Sequence, residues 1–154
     1  MGSNLNPKED KFSLLLDPLS VEDIRCHGRE AYPHECCGAL LGHGELVTKV
    51  LALRNTTDEG PRRRFLISPA DYQAAEAEAS SRGEQLVGFY HSHPDHPARP
   101  SEHDLAHAWP VLAYVIISIR KGEPGELASW RLKADRSAFD QMELTIGEAG
   151  QETS

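Results

Sequence analysis

Along this chain the apolar positions fall into short runs whose period changes, and each change predicts an element. Ser20-Val21-Glu22-Asp23 has the form of a capping box, and Val21, Ile24, Gly28 and Ala31 recur at helical spacing until Pro33 ends the pattern. A first helix over Val21 to Tyr32 follows. Cys37 to Leu41 is a short apolar run, Gly42-His43-Gly44 a turn, and Leu46 to Leu53 alternates weakly, which together read as a hairpin. Between Arg54 and Arg64 the chain is polar around Gly60-Pro61, and Phe65 to Ile67 is a candidate strand. Ser68-Pro69-Ala70-Asp71 then offers a cap, a proline at the first helical position and an acid in the first turn. The second helix runs to Arg82, before Gly83; with Tyr72 as its main large apolar residue, it has to pack by its alanines.

The second half returns to strand patterns. Gln85 to His91 is apolar and aromatic, and Pro94 is expected to stop it. Ser101-Glu102-His103-Asp104 opens a helix through Leu105 to Trp109, which Pro110 breaks. Val111 to Ile119 is apolar on both faces, as a central strand would be. After a turn over Lys121 to Gly125, the alternation of Leu127 to Lys133 predicts an antiparallel return, and Phe139 to Ile146 forms a last strand or short helix. The order gives an α/β fold with mixed sheet pairing. No repeat or linker divides the chain, so one domain over residues 13–146 is expected, between flexible segments 1–12 and 147–154.

Composition narrows the setting. With 154 residues, 39% of them hydrophobic, the chain has enough apolar material for a core, and its mean hydropathy of -0.49 is that of a soluble protein. Sixteen basic against 24 acidic residues give a net charge of -8, which argues against nucleic acid or an anionic membrane as the main partner. A basic partner surface would be steered toward it, although the excess serves solubility equally well. The first twelve residues lack the apolar run of a signal peptide and no stretch is long enough to span a membrane, so a cytoplasmic location is expected. Of the three cysteines, Cys36 and Cys37 are adjacent and no Cys-x-x-Cys pair exists, so reduced thiols are expected rather than a disulfide or a Cys-based zinc site with His34 or His43.

The densest chemistry lies between His91 and Asp104, in HSHPDHPARPSEHD. On a strand, His91 and His93 share one face with Cα atoms about 6.5 Å apart, close enough for two imidazoles to hold one ion. Ser101 and Asp104 have an ordinary reading as cap and first-turn acid of the following helix. That reading is compatible with Asp104 projecting back toward the strand end.

His91-Ser92-His93-Pro94 followed by Ser101 and Asp104 resembles, position for position, the motif of the JAMM (JAB/MPN) zinc metalloproteases, in their compact prokaryotic type. The likeness covers roughly residues 13 to 135 and asks for an upstream glutamate, which Glu35 supplies. It implies a three-layer, cytidine-deaminase-like domain in which a curved mixed sheet is flanked by helices. One zinc per chain would be held by His91, His93 and Asp104 at one sheet end. Two nitrogens and one carboxylate leave a coordination position open, the catalytic rather than the structural pattern. Glu35 would act as general base and then acid, and Ser101 as oxyanion donor.

By the same resemblance the substrate would be the Gly-Gly tail of a ubiquitin-like or sulfur-carrier protein of the β-grasp type, cleaved by zinc-activated water. Two other readings stand beside it: a non-catalytic scaffold of the same fold, and a zinc hydrolase of a small amide or cell-wall peptide. His96, His103 and His107 match no motif position and read as solvated or supporting. Ser92 alternates away from the ligands, and no Gly-x-Ser-x-Gly elbow supports a serine hydrolase.

Overall fold

A computed structural model describes residues 12–54 and 67–147. Their order is β1 (Ser13–Leu16), α1 (Pro18–Ala31), β2 (Cys37–His43), β3 (Leu46–Leu53), α2 (Pro69–Ser81), β4 (Gln85–Pro94), α3 (Glu102–His107), β5 (Ala113–Arg120), β6 (Glu123–Leu132) and β7 (Phe139–Ile146). The polar loop after Arg54, Phe65 and Leu66 of the candidate strand, and the expected flexible ends apart from Phe12 and Gly147 lie outside the described residues. No described helix is long and apolar enough to cross a membrane.

The strands form one sheet in the order β1-β3-β2-β4-β5-β6-β7, and it closes. The expected curved mixed sheet is thus corrected to a closed barrel, although the mixed pairing and the flanking helices are as expected. Closure rests on β1, a four-residue strand too short to show a period. It pairs in parallel with β7 from Ser13↔Glu143 to Leu16↔Ile146 and with β3 at Leu15↔Leu46 and Leu16↔Val47. Phe12 extends this seam, accepting from the Glu143 N–H at 3.0 Å and lying under the Arg131 guanidinium, 4.0 Å from its ring centroid.

Several boundaries differ for local reasons. The cap of α1 is Asp17, whose carboxylate accepts from the Ser20 N–H at 2.9 Å, with Pro18 in the first turn; Ser20 itself is buried inside the helix. Strand β4 ends at Pro94, as expected, with Pro94 itself as the last residue, opposite Ile119. The pairing of β4 with β2 ends at Cys37↔His91, so the missing N–H of Pro94 interrupts no ladder on that side. Helix α3 ends at His107 rather than Trp109. Strand β5 begins at Ala113 because Val111 has φ 73, outside strand geometry. The turn before β6 shortens to Lys121-Gly122, both at positive φ, and β7 is a strand.

Alternation along the strands sorts the core into two apolar clusters on opposite faces of the sheet. Val115, Ile117 and Ile119 of β5 join Leu40, Tyr90 and Met142 against Val21 and Ile24 of α1. Tyr114 and Ile116 join Ala39, Phe89 and Trp130 against Ala75 and Ala79 of α2. Helix α2 packs by its alanines and Tyr72, as expected, with Tyr72 tilted against Phe89 and Trp109 at centroid distances of 5.7 and 4.8 Å. On the other face α1 approaches the sheet so closely that a Cβ on Gly28 would lie 2.7 Å from Ile119 Cδ1.

Candidate active site

Strand β4 delivers its side chains in turn to the two faces. Phe89 and His91 point to the α2 side with Cys37 and Ile116, while Tyr90 joins the α1 cluster. His93 repeats the orientation of His91 where β2 no longer covers the strand. Asp95, at φ 59, turns the chain out of the sheet. Ser101 then caps α3, and Asp104 comes back to the histidines.

The three side chains meet in a triangle. His91 Nε2 lies 3.1 Å from His93 Nε2 and 3.3 Å from Asp104 Oδ2, and His93 Nε2 lies 3.1 Å from the same oxygen. All three residues are buried. A tetrahedral ion with bonds of about 2.0 Å separates its ligand atoms by about 3.3 Å, so these edges have the size of one face of a zinc coordination shell.

The protons give the same answer. His93 Nδ1 is 2.9 Å from the Pro97 carbonyl oxygen, which can only accept, so the ring proton sits on Nδ1 and Nε2 presents a lone pair. Burial tends to raise the Asp104 carboxyl, but the imidazoles of His91 and His93 and their hydrogen bonds outweigh it and hold the group well below the usual carboxylate range. Burial holds His91 below its ordinary value, against the pull of Asp104. When both rings act as neutral ligands, as a metal requires, and Asp104 is ionised, at most one proton serves three close contacts. A cation at the centre removes the resulting lone-pair repulsion, and the donor set of two imidazoles and a carboxylate suits zinc.

Asp104 is held in place by the backbone as well. Its Oδ2 accepts from the Ser101 N–H at 2.8 Å, while its own N–H donates to Ser101 Oγ at 3.1 Å. Accepting uses an oxygen lone pair of Ser101, whose hydroxyl proton can be donated elsewhere. Ser101 and Asp104 line an open cleft together with Glu35, His93, Arg99, Glu102 and His103. Glu35 is half-buried in the connection between α1 and β2. Four of the five residues that the sequence singles out line this cleft, and buried His91 joins them through its contacts with His93 and Asp104.

Other residues find quieter places. His96 is exposed, with its carbonyl accepting from Ser118 Oγ at 2.6 Å. His103 stacks on exposed His107 at 4.2 Å between centroids, and His107 Nδ1 donates to the His103 carbonyl. Cys36 and Cys37 are buried thiols, pushed by burial up to about 11 and about 12. Sequence reasoning missed the Pro97 carbonyl that sets the His93 tautomer, because a backbone acceptor leaves no mark on residue type. It also left Ser92 without a partner, whereas the Ser92 hydroxyl accepts from the buried Cys36 N–H at 2.9 Å.

Comparison with known proteins adds independent evidence. The family model of prokaryotic homologs of the JAB domain matches residues 20–133. A desampylase of Haloferax volcanii is 35% identical over 115 residues, covering 70% of this chain and 81% of the relative. The tail tip assembly protein K of Escherichia phage N15 is 33% identical over 115 residues, covering 70% of this chain but only 44% of the phage protein, so the chain spans less than half of that relative. A Thermus thermophilus protein named "Probable TtuB-protein conjugate cleaving protease" is 33% identical over 96 residues, 62% of this chain and 64% of its own. In fold, the chain is similar to the crystal structure of a JAB1/MPN domain protein from Archaeoglobus fulgidus, with TM-score 0.59 at 17% identity over 88% of this chain and 100% of the other.

Proposed function

Because the chain belongs to the prokaryotic homologs of the JAB domain, we propose that it is a zinc-dependent isopeptidase acting on the C-terminal Gly-Gly tail of a ubiquitin-like or sulfur-carrier protein. The observation that carries this reading is the buried triangle of His91, His93 and Asp104 opening into a cleft that also presents Glu35 and Ser101. One zinc per chain, when bound, supplies Lewis acidity and lowers the pKa of water toward neutrality. Glu35 takes the proton of the attacking water and returns it to the leaving amine. Ser101 donates its hydroxyl proton toward the oxygen on which charge develops. The names of the Haloferax and Thermus relatives support a protein conjugate as substrate.

The test is to load the full chain with zinc and offer it a Gly-Gly tail joined to the ε-amine of a lysine, beside a cell-wall peptide as control. Release of the lysine, abolished by a chelator and restored by zinc, is the expected result. Cleavage of the cell-wall peptide alone would assign the site to small amides, and binding of the tail without cleavage would favour the scaffold reading.

A further inference from the structure

Glu35 sits on a connection that the ligand-bearing strand grips on both sides. One residue after it, the Cys36 N–H donates to Ser92 Oγ at 2.9 Å, and the Ser92 N–H donates to the Cys36 carbonyl at 3.1 Å. Three residues before it, the Tyr32 hydroxyl donates to Asp95 Oδ2 at 2.7 Å. Ser92 and Asp95 flank His93, so the two attachments bracket the general base in one segment and a metal ligand in the other. Asp95 is itself fixed, since its other oxygen accepts from the Lys121 N–H at 2.8 Å and its own N–H donates to the Ile119 carbonyl at 2.7 Å. Ser92 is fully buried on the face of β4 opposite the ligands and is not among the residues that line the candidate cleft.

We propose that Ser92, with the Tyr32–Asp95 pair, is a positioning device that sets the Glu35 carboxylate against the metal site. This rests on the proposed role of Glu35 as general base. The physical need is plain: Glu35 lies outside the barrel ladder, and a shift of about 1 Å between a catalytic group and its target can lower a rate about 10²-fold. The clasp ties the base to the same strand that carries the ligands, so the two move together.

A double-mutant cycle tests it on the full zinc-loaded chain, with the Gly-Gly tail on the ε-amine of a lysine as probe. Ser92→Ala is expected to lower kcat about 10- to 100-fold with KM and zinc content unchanged, and Tyr32→Phe to lower it several-fold. In a Glu35→Gln background each is expected to change kcat by less than about twofold, because both act through the carboxylate already removed. Losses that multiply undiminished in that background would overturn the proposal, as would full kcat in both single variants. Should Ser92→Ala fail to fold, the surface variant Tyr32→Phe carries the cycle alone. Full activity of Glu35→Gln by itself would instead remove the base assignment, a failure distinct from that of the clasp.

Discussion

Ser101 and Asp104 hold each other through two reciprocal hydrogen bonds, backbone N–H to side-chain oxygen in both directions, at 3.1 and 2.8 Å. Ser101 caps the helix, and under the proposed function it also orients a ligand and donates a proton. Ser101→Gly keeps most of the capping preference and has no hydroxyl, whereas Ser101→Ala loses both, at about 0.5 to 2 kcal/mol of stability. Both variants are expected to lose about 10²- to 10³-fold in kcat, with only Ser101→Ala clearly lowering the melting temperature. Near wild-type kcat in a folded, zinc-loaded Ser101→Gly would leave Ser101 as a cap only.

The triangle predicts the metal. Wild-type protein should bind one zinc per chain, and His91→Ala or Asp104→Ala should greatly weaken binding by removing one of three donors. Metal analysis of protein purified without added zinc, followed by titration, reads this directly. Undiminished affinity in either variant would place the ion elsewhere.

Glu35 shares the cleft wall with His93 and Asp104 but is not one of the three residues of the triangle. Glu35→Gln is therefore expected to retain zinc and lose about 10²- to 10⁴-fold in turnover. Loss of the metal together with the activity would make Glu35 a ligand.

Burial keeps Cys36 and Cys37 protonated at neutral pH, their pKa values standing at about 11 and about 12. The thiolate is the reactive form, so the expected order of labelling by a thiol reagent at pH 8 puts partly exposed Cys26 first, with the other two reacting only on unfolding. Cys36→Ala and Cys37→Ala should keep their zinc. Early labelling of Cys37 in the native protein would contradict its buried place in β2.

Much of the site could be read in the sequence because its donors come from one strand and the helix after it. The two-residue period put His91 and His93 together, and the spacing from Ser101 to Asp104 is a helix start whichever role it serves. Elements identified by a long apolar period, such as β5 and the alanine face of α2, were equally plain. What escaped was whatever depends on partners distant in the chain. Four residues of β1 carry no period, yet their pairing with β7 turns an open sheet into a barrel. Asp17-Pro18 carries the same cap-and-proline signal as Ser68-Pro69, but the apparent box at Ser20 masked it. The hydroxyl of Ser92 could be seen to face away from the ligands, and nothing in its neighbours named Cys36 as its partner.

The closed order of the strands also limits how a substrate can be recognised. Many proteins that grip an extended peptide let it join an exposed sheet edge as one more strand. Here each described strand has a neighbour on both sides, although β1 pairs with β3 only at Leu46 and Val47 and β2 leaves β4 after His91, so the barrel offers a guest only short stretches of edge. Under the proposed function, an incoming tail is expected to find its backbone partners on the segments around the cleft, at Glu35 and from His96 to Ser101. Sequence changes in those segments should alter which tails are accepted while leaving the barrel intact.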